Sequence, residues 1–337
     1  MGAVQTAQVN WRRVVRKYMK PNALKSYWQI FNSIVPYALS WVVAYFAYQY
    51  SVLLCLAVAM VAQVFLLRIF IVMHDCGHSS FFKSKKSNSI WGFICGVITF
   101  SPYHQWTSAH HTHHKHSGNL DYRGVGDIDT LTVEEYEALS RLGKLKYKAI
   151  RSPFVFLFLG GVYTFILEHR FTRKRDGFKE RMSVHGTNLA ILLFGITMSY
   201  FTGFGFYVFF QLSVIGLAAS AGVFLFYVQH QYEDVYWRSK QDWDHFEASM
   251  KGSSYLKLPK VLQWASGNIG FHNIHHLCST IPNYNLEKAY KENPIFQNCT
   301  QLGIKDSMKC LFLNLYDTET KRLISFKEYR RRFKKQA

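Results

Sequence analysis

His104–Gln105–Trp106–Thr107–Ser108–Ala109–His110–His111–Thr112–His113–His114 is the stretch around which the rest of the chain is organised. It contains H-x-x-H-H, formed by His110, His113 and His114. Upstream, His74–Asp75–Cys76–Gly77–His78 supplies H-x-x-x-H, and far downstream His272, His275 and His276 form a second H-x-x-H-H. On a helix, residues three and four apart share a face, so each box presents two or three imidazoles to one point. Together the boxes hold eight histidines, too many for one ion and suited to two. All-nitrogen ligation fits Fe, Zn, Cu or Ni. Neutral imidazoles also need acceptors to orient them, and Asp75, Asp121, Asp127, Glu233 and Asp234 stand nearby in sequence.

Each box abuts apolar sequence. Residues 34–67 contain no charged side chain. As one helix they would run about 50 Å, well beyond a hydrocarbon core of about 30 Å. Two spans fit better, roughly 31–48 and 52–72, turning at Gln49–Tyr50–Ser51 and delivering His74 to the starting face. Residues 187–228 are a second uncharged run. Thr202–Gly203–Phe204–Gly205 is a natural turn in its middle, so two more spans result and deliver His230 to the same face. Residues 90–100 and 154–166 are apolar but too short to cross comfortably, and are expected to be interfacial or re-entrant. If only one of them crossed, the boxes would fall on opposite sides and could not share a site.

The expected architecture is an all-α integral membrane protein with four transmembrane helices and a helical cap holding a histidine-rich di-metal site. It divides into a basic arm (1–30), spans one and two (31–73), a segment with the first two boxes and interfacial helices (74–186), spans three and four (187–229), and a cap with the third box and a basic tail (230–337). Between the second box and Ser152 the chain turns polar and is expected to join this cap; there Thr132–Val133–Glu134–Glu135 has the form of a capping box opening a helix through Tyr136 and Leu139.

The 337 residues are 49% hydrophobic and carry a net charge of +19. The short turns between spans have no Lys or Arg, whereas the arm (Arg12, Arg13, Arg16, Lys17, Lys20, Lys25) and the tail (Arg330, Arg331, Arg332, Lys334, Lys335) are basic. By the positive-inside rule the termini and the boxes are cytoplasmic. The positive charge is thus accounted for by topology and anionic lipid. No nucleic-acid module accompanies it. Met1–Gly2–Ala3–Val4–Gln5–Thr6 matches a myristoylation signal only loosely and is read as coincidence. The six cysteines show neither C-x-x-C nor a disulfide framework. Cys76 and Cys278, beside boxes, are read as packing residues.

Of the other seven histidines, His230 is the strongest extra ligand candidate, because it ends the fourth span where the boxes must meet. His104, His111 and His116 crowd the second box and are read as surface or supporting groups. His169, His185 and His245 are expected to be ordinary. Asn268 lies one turn before His272, on the same expected helix face, and is read either as holding a metal-bound water or as plain helix packing.

With these residues in view the chain resembles the integral-membrane fatty acid desaturases. The resemblance rests on the three boxes, with Trp106 ahead of the second and Gly270–Phe271 ahead of the third. Gly126–Asp127–Ile128–Asp129–Thr130–Leu131–Thr132, Phe226–Tyr227–Val228–Gln229–His230–Gln231–Tyr232–Glu233–Asp234, Gly252–Ser253–Ser254–Tyr255 and Ile281–Pro282–Asn283–Tyr284 look like the bacterial and plastid-type acyl-lipid branch that includes the Δ12 (ω-6) enzymes. It spans about residues 35–286. The resemblance implies a di-iron centre that uses O2 to remove two hydrogens from adjacent methylenes of a lipid acyl chain. It implies His74, His78, His110, His113, His114, His272, His275 and His276 as ligands, His230 as an additional one, and residence in a bacterial inner membrane. His111 and His116 go beyond the family motif and stand as alternative ligands.

Chemistry agrees with that implication. Oxidising an unactivated CH2 calls for a redox-active metal, which disfavours Zn and favours Fe. The chain carries no G-x-G-x-x-G and no C-x-x-C-H, so electrons are expected from outside, from a ferredoxin-like or other small donor suited to a basic face. A membrane hydroxylase or carotenoid oxygenase is the nearest alternative, since hydrogen abstraction begins both reactions. A metal transporter would place ligands inside its spans near the midplane. The expected spans contain no Asp, Glu or His.

Overall fold

A computed structural model describes residues 10–124, 126 and 128–333. The loose myristoylation pattern, Asp127, Lys334 and Lys335 lie outside the described residues. In chain order the helices are α1 (Trp11–Val15), α2 (Ala23–Tyr50), α3 (Val52–Gly77), α4 (Lys85–Ile98), α5 (Tyr103–His116), α6 (Val133–Ala138), α7 (Arg141–Ile150), α8 (Phe178–Thr202), α9 (Phe204–His230), α10 (His245–Lys251), α11 (Lys260–Ala265), α12 (His272–Leu277), α13 (Asn283–Glu292), α14 (Ile304–Cys310) and α15 (Phe326–Phe333). The cap adds two small sheets. β1 (Tyr255–Leu256) pairs in parallel with β2 (Gln301–Leu302), and β3 (Leu313–Asp317) antiparallel with β4 (Arg322–Ser325).

Helices α2, α3, α8 and α9 are long and apolar enough to cross a membrane, and the chain is an integral membrane protein. At 28 residues α2 runs about 42 Å, so it overshoots the hydrocarbon core. A single residue, Ser51, separates α2 from α3, and its side chain accepts from Leu53 N to cap the returning helix. Gly203 alone separates α8 from α9 at φ +87°, a conformation that favours glycine. Ala44, Ala59 and Ala62 are fully buried, which lets α2 and α3 approach closely. Trp41 packs edge-on against Phe210 at 4.8 Å and ties α2 to α9. Outward, Leu39, Val43, Phe46, Leu53, Leu192 and Ile196 are exposed, an apolar belt that only lipid would cover.

Residues 90–100 fall mostly in α4, only 14 residues long and too short to span. The second short apolar stretch forms π-helical turns, Val155–Gly160 and Tyr163–Leu167, in a segment bent 73° from α7. Both its ends lie at the box-bearing face. Arg151 donates to Tyr227 OH (2.9 Å), one turn before His230, while Arg170 donates to Asn188 Oδ1 (2.7 Å) in the same α8 whose Ser183 accepts from His104 N (3.0 Å). A segment that leaves and returns to one face is re-entrant, so four crossings remain. In the cap, Thr132 and Glu135 exchange both bonds of the expected capping box at the start of α6.

Candidate metal centre

The last turn of α3 carries His74, and His78 follows as its C-cap, with its N–H on His74 O (3.2 Å). One face of α5 presents Trp106, His110, His113 and His114. His230 is the last residue of α9, and the six-residue α12 supplies His272, His275 and His276. Four helices thus bring nine imidazoles to one place. His74, His78, His110, His114 and His275 form one group of ring nitrogens within 4.8 Å of one another, and His113, His230 and His276 form a second. His272 joins the second through Nε2, 3.0 Å from His230 Nε2. The rings of His114 and His276 stack at 4.2 Å and connect the groups.

The spacing fits metal ligation. Nε2 atoms lie 3.1 Å apart in His110–His114, 3.0 Å in His114–His275 and 3.2 Å in His113–His230. Two nitrogens each about 2.1 Å from one ion lie roughly 3.0 Å apart at a right angle. Buried Nε2 of His78 and of His276 have no hydrogen-bond partner among the described residues. Burial, then the neighbouring imidazoles, holds His78, His110, His114, His272, His275 and His276 well below the usual histidine range, and burial pushes His113 down to about 3. The rings are therefore neutral, the form that binds metal. Lone pairs converging at 3 Å without a cation between them repel, so the clusters have the donor chemistry to hold metal ions.

Asp75 aims the first cluster. Its Oδ1 lies 3.0 Å from His74 Nδ1, while Oδ2 accepts from Asn283 N (2.7 Å) and Nδ2 (2.8 Å). That bond leaves His74 Nε2 to face the cluster. His230 Nδ1 is similarly placed on Gly252 O (3.3 Å). The other acidic candidates act elsewhere. Asp121 accepts from Lys240 N, and Glu233 and Asp234 pair with Arg322 at the surface. His104 packs on Tyr103, His111 is exposed beside His78, and His116 stacks on Tyr122 (4.5 Å); none enters a cluster. Cys76 and Cys278 also stay out. Asn268 is not on the helix of His272: it sits in the preceding turn at φ +59°, after Gly267 at φ +56°, and this left-handed pair interrupts any continuous helix.

A cavity of about 490 Å³ opens beside the clusters, lined by His74, His110 and His272 and by Trp106, which lies flat on His110 (4.4 Å). It descends between α3 and α9 past Phe70, Leu66, Gly222 and Ala218 to Ile215. Ile215 lies fourteen residues before Gln229, another lining residue, so the cavity reaches about 21 Å along α9. Its size suits a ligand site. His169, expected to be ordinary, is buried in this wall; nothing in its own neighbourhood of sequence marks it. A separate cleft of about 860 Å³ reaches His114 and His276 past Lys115, Lys240 and Trp243.

Comparison with known proteins places the chain in a family. The family model for fatty acid desaturases matches residues 49–304. The chain is 42% identical over 313 residues to a fatty acid desaturase of Bacillus subtilis, covering 93% of this chain and 89% of that protein. It is 30% identical over 263 residues to an sn-1 oleoyl-lipid 12-desaturase of Synechocystis, covering 74% and 72%. Identity to an sn-1 acyl-lipid omega-3 desaturase (ferredoxin) of Nostoc is 28% over 281 residues, covering 80% and 75%. Apolar spans, clustered histidines and a match that takes in all three boxes thus lead to one conclusion: the chain belongs to the fatty acid desaturase family, as a membrane oxidoreductase acting on fatty acyl chains.

Proposed function

We propose that this protein is a di-iron acyl-lipid desaturase of the Δ12/ω-6 type, drawing electrons from a ferredoxin-like donor. The observation that carries the reading is the apolar cavity between α3 and α9 that ends on His74, His110 and His272. His74, His78, His110, His114 and His275 would hold one iron, and His113, His230, His272 and His276 the other. Bound iron would supply the redox chemistry that lets O2 oxidise an unactivated methylene pair. The balance is R–CH2–CH2–R′ + O2 + 2 electrons + 2 protons giving cis R–CH=CH–R′ + 2 water. Leu66, Ala218 and Ile215 keep the chain in a dry slot, and Trp106 holds it against the face of the first cluster. Asp75 accepts a hydrogen bond from His74 Nδ1–H and so keeps Nε2 directed inward.

In this reading the arm 1–30 and segments 74–186 and 230–337 are cytoplasmic, and the membrane is a bacterial inner membrane. The cleft beside Lys115 and Lys240 would admit an acidic iron–sulphur protein close to His114 and His276. The test is the fatty-acid profile of a host without polyunsaturated lipids, expressing the chain or its His113→Ala variant. New Δ12 dienoic chains with the intact protein alone are expected. A monoene made from saturated lipid moves the double bond and refutes the Δ12 placement. Hydroxylated products would refute desaturation itself.

A further inference from the structure

The cavity has a second, polar end. Beside Trp106 and His110 its wall passes to Thr164, Glu168, Arg173 and Arg175, at the end of the re-entrant segment and in the loop before α8. Arg173 is fixed there. Its guanidinium pairs with Glu168 at 2.7 Å, and its N–H donates to Asp176 Oδ2 (2.6 Å), which also accepts from Gln105 of α5 (2.6 Å). Two residues on, Arg175 is exposed and has no ion pair or hydrogen bond among the described residues. With Glu168 paired to Arg173 and Asp176 taken by a backbone N–H and Gln105, the Arg175 guanidinium is the lining cation left for a ligand.

A long apolar slot with one cationic end suits a molecule with an anionic head and an apolar tail. Guanidinium matches phosphate oxygens with paired, charge-assisted hydrogen bonds. Thr164 and Phe165 of the π-helical segment close one side of the slot, and Phe158, Leu159 and Val162 of the same segment are exposed, so only this one segment separates the slot from the lipid side. We infer that Arg175, beside the fixed Arg173–Glu168 pair, binds the phosphate of a membrane phospholipid whose acyl chain occupies the cavity. This rests on the cavity being the acyl site, and it adds the head group that the site selects.

The test uses the full iron-loaded chain, with a reducing system, in mixed vesicles of palmitoyl-oleoyl phosphatidylglycerol and palmitoyl-oleoyl glycerol, which lacks phosphate. Counting new double bonds in each lipid should show a preference for the phospholipid of about tenfold, the size of one charge-assisted contact. Arg175→Gln should bring the two lipids near parity, mainly through KM. Lys174→Gln, whose exposed side chain does not line the cavity, should keep the preference. Equal use of both lipids by the unmodified protein overturns the proposal. So does a preference that survives Arg175→Gln, or one lost equally in Lys174→Gln, which would mark general surface attraction. Oleoyl-coenzyme A outcompeting the phospholipid would assign the arginine to a soluble thioester and also overturn it. A second readout needs no iron: phospholipid phosphorus retained per protein after detergent washing should fall in Arg175→Gln. A retention difference without any desaturation would sink the functional reading and leave the head-group site standing. Desaturation with neither preference nor retention difference would do the reverse.

Discussion

The second and third boxes carry the same H-x-x-H-H, yet α5 and α12 are held in place by different means. α5 is a 14-residue helix with Ser108, His111 and Lys115 exposed on one side and His113 buried on the other. α12 has six residues, all buried. Isolated helices below about 12 residues are marginal in water, so α12 must be imposed from outside. Phe271, just before it, stacks on Tyr255 of β1 (4.5 Å) and packs against Tyr290 of α13 (5.1 Å). Asn273 donates to Phe296 O (3.1 Å), and Leu256 N to Gly270 O (2.8 Å). One box is largely self-organised, and the other depends on the surrounding cap.

The largest effects should be alike for both. His113→Ala and His276→Ala each remove a nitrogen from the second cluster, and each should lower turnover by more than about 100-fold, beyond what loss of a ligand's supporting partner costs. Metal analysis of the purified variants should show the deficit; a full metal complement with normal turnover in either would refute its place in the site. Stability should then separate the two boxes. Phe271→Ala should cost about 3–5 kcal/mol, as for other buried aromatics, whereas Thr112→Ala on the outer side of α5 should stay within about 0.5 kcal/mol. Thermal unfolding in detergent measures both, and equal costs would erase the contrast.

Box one lies between these cases, because α3 delivers His74 but α13 holds its orienting carboxylate through Asn283. Asp75→Asn would turn an amide N–H toward donors already present, and should weaken metal retention about 10–100-fold against a chelator. Unchanged retention would show that α3 alone sets the ring. A smaller, graded effect concerns pH. His113 titrates near 3 when folded and near 6.5 in an unfolded chain, so between these values the unfolded state binds more protons. The stability of the metal-free protein should therefore be complete above about pH 6.5 and decline as pH falls toward 3. Melting temperatures that rise on acidification would contradict neutral, buried rings.

Much of this was already legible in the chain. Runs of uncharged residues are a local property, and their length against the bilayer thickness yields four spans with turns near Ser51 and Gly203. Histidine spacing is local too, which is why the box histidines share helix faces, and why His230 stands out at the end of a span. The capping box at Thr132 is equally local. Where neighbours distant in sequence decide, the reading stopped short. Glu233 and Asp234 looked like supporting acceptors but are drawn to Arg322, and Asn268 left the helix of His272 because Gly267 and Asn268 take left-handed backbone.

By itself the sequence determined the membrane class, the number of crossings, the candidate histidines and the convergence of the boxes on one face. Only the tertiary structure decided how nine imidazoles divide into two clusters, since a 3.0 Å approach of His114 to His275 joins residues 161 apart in the chain. It also decided that α12 exists as a helix, that Asp75 is the acceptor used, and that a cavity leads from Arg175 past Trp106 to Ile215. Hydrophobic run length and helical periodicity act within a few turns, whereas ring-to-ring distances and cavity walls arise where separate helices pack.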